Sequence, residues 1–155
     1  MIEQILEAWR INNRIDIRLI ERISDAGMQC TLSRRGGRNV VRQFAHLQNV
    51  RVYQLTSRAK HLAKGLRTFA TYEEPDRRTL AAALEDSSGR IEQWFRLAYE
   101  GSERVRTLKR GLIPMVAYLI SHESHHRGNI LLTLKQCGHA LDSPTRYSIW
   151  DWDRI

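Results

Sequence analysis

Apolar residues recur along this chain at intervals of three and four, in four long blocks separated by stretches rich in glycine, charge or proline. That spacing predicts amphipathic α-helices. The first block, Met1 to about Ile23, offers two stripes. Ile2, Ile5, Trp9, Ile20 and Ile23 fall on one side together with Asn12 and Asp16, which would there face a polar cavity. A slightly rotated helix would bury Ile11, Ile15 and Leu19 instead. Ser24-Asp25-Ala26-Gly27 ends the block. Residues 24–39 form a long connection that closes on Ser33-Arg34-Arg35-Gly36-Gly37-Arg38-Asn39. Its Gly-Gly pair is turn chemistry, and Asn39 is placed to cap the next helix.

The second block predicts a helix from about Val40 to Lys64, with Phe44, Leu47, Leu55 and Leu62 buried and His46 off the centre of the stripe. Gly65 follows as a C′ residue. A connector from Leu66 to Arg78 leads to a third helix, Leu80 to Tyr99, with Asp76 or Thr79 as its cap. Leu80, Ala83, Leu84, Ile91, Trp94, Phe95 and Ala98 mark its core face, and Ser87-Ser88-Gly89 weakens its middle. The fourth helix, Leu112 to Gln136, places Ile113, Val116, Ala117, Leu119, Ile120, Ile130, Leu131 and Leu134 inward. Pro114 lies in its first turn, where proline is tolerated. Gly138 closes it, and the tail brings Tyr147, Trp150 and Trp152, expected to pack against the helices. These elements predict an all-α fold, a four-helix bundle with long connections and an aromatic C-terminal tail, with residues 1–155 as a single domain. The connections at 24–39 and 65–79 can cross the bundle, so strict up-down-up-down topology is not required.

Composition narrows the class. Hydrophobic residues make up 42% and charged residues 27%, ordinary values for a soluble globular protein. No apolar run approaches the roughly 20 residues of a membrane span. Met1-Ile2-Glu3-Gln4 has neither a basic n-region nor an apolar h-region, so no signal peptide is expected. Two cysteines, Cys30 and Cys137, are too few for a disulfide scaffold and fit a reducing compartment, so a cytoplasmic location is expected. The net charge of +8 comes from arginines spread along the chain, Arg34, Arg35, Arg38, Arg42, Arg51 and Arg58 among them. They read as a solvated basic surface. A non-catalytic module that binds nucleic acid is the competing reading, resting on this charge and on the Arg34–Arg38 loop. No helix-turn-helix spacing, RNP-like motif or aromatic-basic interleave favours it.

The densest chemistry is Ser121-His122-Glu123-Ser124-His125-His126-Arg127-Gly128-Asn129, with three of the chain's six histidines in five residues. Residues four apart on a helix are separated by only about 40°, so His122 and His126 point the same way while His125 points elsewhere. The pair lies at the border of the apolar stripe, inward enough to be held and open on one side. Two ligands hold an ion weakly. The candidates for a third are His46, His61 and His139, of which His46 is best placed, near the middle of a helix that can lie beside the last one. Three neutral imidazoles and one open position suit zinc or nickel and can activate water or a thiol. Glu123 and Arg127, also four apart, lie on the stripe itself, where an ion pair between them or a supporting role behind the ligands is expected. Close helix packing at Gly128 would explain a glycine in mid-helix, where it costs about 1 kcal/mol. The segment also matches the H-E-x-x-H pattern of metalloproteases, with Glu123 as general base. Its extended form fails, since position 129 is Asn and position 132 is Leu.

His46 within Arg42-Gln43-Phe44-Ala45-His46-Leu47, followed by the 121–129 segment and by Tyr147-Ser148-Ile149-Trp150-Asp151-Trp152, resembles the DinB family over nearly the whole chain. Asn129 stands where that family commonly has glutamine. The resemblance implies a four-helix bundle holding one divalent metal, zinc or nickel, on His46, His122 and His126. It implies a homodimer, and a metal-dependent hydrolase or thiol S-transferase acting on a small molecule, with a low-molecular-weight thiol as co-substrate in some relatives. A structural dimer whose metal only braces the fold is a further competing reading.

Overall fold

A computed structural model describes residues 1–155. Helix α1 spans Ile2–Arg22, the short α2 Asp25–Met28, and α3 Val40–Arg58, followed by a 3-10 turn at Lys60–Leu62. Helices α4 (Arg77–Tyr99), α5 (Leu112–Gln136) and the short α6 (Ser143–Ser148) complete an all-α fold.

The bundle is made by α1, α3, α4 and α5. Helix α1 packs on α4 and α5, and α3 packs on the same two, so α1 and α3 stand across the bundle from each other. Two apolar cores fix the directions. One contains Ile15, Leu19, Phe44, Leu80, Leu84, Ile130 and Leu134. The other contains Leu6, Trp9, Leu55, Ile91, Trp94, Met115 and Leu119. Helices α1 and α5 therefore run one way, and α3 and α4 the other. Parallel α3 and α4 require a return connection. Residues 59–76 provide it, with Leu62 in one core and Phe69 in the other. Side chains of α3 fasten this connector. Gln48 Nε2 donates to the Arg67 carbonyl at 2.8 Å, and Asn49 exchanges two hydrogen bonds with the Phe69 backbone at 2.8 and 2.9 Å.

Several boundaries differ from the periodicity. Helix α3 stops at Arg58 instead of Lys64, because Ala59 leaves helical geometry (φ −145°, ψ 52°) and the Arg58 carbonyl is taken by the Arg106 N–H at 2.8 Å. Asp76 is the cap of α4, accepting from the Thr79 N–H. Ser87-Ser88-Gly89 continues that helix, with Ser87 buried and its hydroxyl 2.7 Å from Gln48 Oε1. In α1 both proposed stripes are buried at once, Ile11, Ile15 and Leu19 together with Trp9, Asn12, Asp16 and Ile20. In α5, Ile113 and Ala117 face outward, because Met115, Val116 and Leu119 take the inward positions of that turn. The tail also departs from expectation. It docks through Thr145 and Ile149, four apart on one side, which leaves Tyr147 and Trp150 about three-quarters exposed.

Candidate metal centre

Three imidazoles meet where α3 and α5 pack together. His46 comes from α3, and His122 and His126 from successive turns of α5. Their ring centroids are 4.7 Å apart for His122–His126, 4.8 Å for His46–His126 and 5.8 Å for His46–His122. One nitrogen of each lies within 4.8 Å of the other two. Zn–N bonds of about 2.0–2.1 Å in a tetrahedron separate ligand nitrogens by about 3.3 Å. The rings need to close by at most about 1.5 Å (4.8 less 3.3), a side-chain adjustment. Each ring is half-buried. Burial is the leading cause holding all three below the ordinary histidine value, with His126 taken down to about 4 by burial and then by its histidine neighbours. All three are neutral at pH 7, as coordination requires. His122 Nδ1 is buried with no hydrogen-bond partner, and an unpaired polar atom of that kind costs about 1–3 kcal/mol. An orphaned ring nitrogen among neutral imidazoles fits a divalent-ion donor set.

His61 and His139 are exposed and outside this cluster, and His125 is exposed, with its Nε2 3.2 Å from Asn129 Nδ2. A cluster reached only through folding separates these histidines from His46.

The charges on the buried side of α5 are satisfied differently from the expected Glu123–Arg127 pair. Glu123 accepts from Arg51 Nε at 2.6 Å and from Arg51 Nη2 at 2.9 Å, and its Oε2 also accepts from Asn12 Nδ2. Arg127 donates to Asp16 Oδ1 at 3.0 Å and to Asn12 Oδ1 at 2.8 Å. Arg51 also reaches Asp16, Asn13 and the Leu84 carbonyl of α4. All four long helices thus enter one polar layer between the two apolar cores. The i, i+4 residues of α5 do not pair with each other because α1 and α3 present partners opposite each. Arg51 is fully buried, a correction to its reading as solvated surface charge. Its spacing with Phe44, Leu47 and Leu55 on the inward stripe was the available signal. Burial pushes the Asp16 carboxyl up to about 7. At Glu123 burial also pushes upward, but the charge and hydrogen bonds of Arg51, with Asp16 and Arg127, together outweigh it and hold the carboxyl below its ordinary value. Gly128 is exposed and a Cβ there would meet nothing within 4 Å, so close helix packing within the chain does not account for it.

Two cavities flank the imidazoles. One, of about 90 Å³, is lined by Arg38, Arg42, His46 and Asn49 with the 70–73 connector. The other, of about 310 Å³, is lined by Arg38, Gln43, His126 and Asn129 with residues 31–33. A more apolar cavity of about 310 Å³ between α5 and the tail carries none of the histidines. No helix is long and apolar enough to cross a membrane.

The family model described as the DinB family matches residues 1–150 of the 155. No curated protein matches the chain.

Proposed function

The chain belongs to the DinB family, and from that premise we propose that it is a metal-dependent enzyme, a hydrolase or a thiol S-transferase acting on a small molecule. The observation that carries this reading is the convergence of three neutral imidazoles from two helices, His46, His122 and His126, on a point with cavities on either side. A three-histidine set suits zinc or nickel, which when bound supplies a Lewis acid able to lower the pKa of a water or thiol. His46 and the His122–His126 pair hold the donor nitrogens from opposite walls. Glu123 and Arg127 are positioning residues, since both Glu123 oxygens are engaged by Arg51 and Asn12. That engagement argues against Glu123 as the general base that the H-E-x-x-H pattern suggests. Homodimeric assembly, a cytoplasmic location and a low-molecular-weight thiol as co-substrate belong to the same proposal and are supported by the resemblance and the cysteine usage.

Metal analysis of the purified protein beside His46→Ala and His122→Ala tests the reading. About one zinc or nickel per chain is expected, falling well below stoichiometry in both variants because two imidazoles hold an ion weakly. Full occupancy in both variants would remove the proposal. A panel of small thiols with an electrophile, and of esters and amides, then separates transferase from hydrolase.

A further inference from the structure

Arg38 lines both cavities beside the imidazoles, with His46 on one side and His126 on the other. Its guanidinium makes no hydrogen bond or ion pair, unlike Arg51 and Arg127, which are consumed by Glu123 and Asp16. Arg42 lines the smaller cavity with it. Arg42 is oriented by its Nε donating to the Thr71 carbonyl at 3.1 Å and by Tyr72 beneath its guanidinium at 4.9 Å, and it too has no carboxylate partner. The single acid of these walls is Glu73. It is spent on Arg67 Nη2 at 2.8 Å and on the Ala70 N–H at 2.9 Å. Neutral side chains line the rest of the larger cavity, the polar Thr31, Ser33, Gln43, Asn129 and Thr133 with two leucines, Leu32 and Leu132. The mouth of the centre therefore holds two cations and no free anion.

Arg38 is also presented from a fixed place. Its carbonyl accepts from Thr31 Oγ1 at 3.3 Å. The next residue, buried Asn39, is tied by its Nδ2 to Gln29 at 3.0 Å and to Glu74 at 2.7 Å.

We infer that Arg38, with Arg42 beside it, binds an oxyanion of the substrate, a carboxylate or phosphate, and so presents the substrate's reacting atom to the three imidazoles. The planar fork of arginine matches either group bidentately. A cavity of about 310 Å³ takes a small molecule. The inference rests on the proposed function for the reacting atom, but the anion site itself does not need the metal.

Two measurements keep the readings apart. In metal-free protein, acetate and inorganic phosphate are titrated while the arginine Nε–Hε resonances are followed by NMR. Saturable shifts at Arg38 with either anion are expected, and the tighter of the two identifies the group. In cobalt-substituted protein, 3-mercaptopropionate and the neutral thiol 2-mercaptoethanol are compared through the thiolate–cobalt absorption. A charge-assisted pair of about 1.5–3 kcal/mol predicts a preference of roughly 10–150-fold for the carboxylate-bearing thiol. Arg38→Ala should abolish that preference and leave metal stoichiometry and 2-mercaptoethanol affinity unchanged, with Arg38→Lys intermediate. No anion shift, or a preference that survives Arg38→Ala with Arg42→Ala, overturns this inference while the metal reading stands. Anion binding by a protein that holds no metal sustains the anion site and overturns the proposed function.

Discussion

Replacing Glu123 by glutamine isolates the buried polar layer, because the shape is nearly kept and one charge is lost. Glu123 is 2% exposed and Arg51 fully buried. In the wild type two guanidiniums, Arg51 and Arg127, face two carboxyl groups, Glu123 and Asp16. The amide can keep one acceptor toward Arg51, but its NH₂ then points at donors on Arg51 or Asn12. Removing one partner of a buried pair costs about 3–5 kcal/mol. Relief of the Glu123 repulsion lets Asp16 ionise more fully and take up part of the charge, which sets the expectation at the lower half of that range at pH 7. Against a total stability of about 5–15 kcal/mol this is a large share. At about 2–4 °C per kcal/mol for a chain of this size, the midpoint falls by roughly 6–16 °C. Urea unfolding of metal-free protein measures the free energy directly, and metal stoichiometry of folded Glu123→Gln should be unchanged. Combination with Arg51→Met should recover much of the loss, since the two residues share one interaction. A change below about 1 kcal/mol accompanied by loss of metal would refute the reasoning and return Glu123 to the metal's own chemistry.

Other outcomes follow from the same geometry. In metal-free protein the His126 ring should titrate near 4, and His46 and His122 below the ordinary value near 6.5, read by histidine NMR; a normal midpoint at His126 contradicts the burial. These depressed values destabilise the fold as pH falls from 6.5 toward 4, whereas raised Asp16 acts with the opposite sign below about 7, so ring titration and not global stability is the readout. Gly128→Ala should stabilise by about 0.4–1 kcal/mol in chemical unfolding, because the added methyl meets open space in a helix. Destabilisation there would instead reveal a close neighbour, such as a second copy of the chain. Asn39→Ala should cost about 1–2 kcal/mol, since it removes the cap on Arg42 N–H and two loop ties. Retention on DNA, if the Arg34–Arg38 loop bound it, would weaken steeply with salt; a flat response disposes of that reading.

Much of this protein was legible from the chain alone. Periodicity gave the four long helices, side-chain chemistry gave the cap at Asn39 and narrowed that of α4 to Asp76 or Thr79, and i, i+4 spacing put His122 and His126 on one side of α5. These are local properties, decided within about one helical turn. Asn12 and Asp16 on an apolar stripe announced a polar interior without naming its partners. Position near the middle of its helix ranked His46 above His61 and His139, and the resemblance assigned it as the third donor.

Tertiary structure decided the rest. Whether Arg51 reaches Glu123, or Asp16 reaches Arg127, depends on which helices are neighbours and which way each runs, and no interval in the sequence encodes that. The same holds for Arg38, which sequence offered only as part of a basic loop and which folding sets between His46 and His126. A helix face is fixed by neighbours three and four residues away, but a site assembled from three segments is fixed only when apolar burial locks those segments in register.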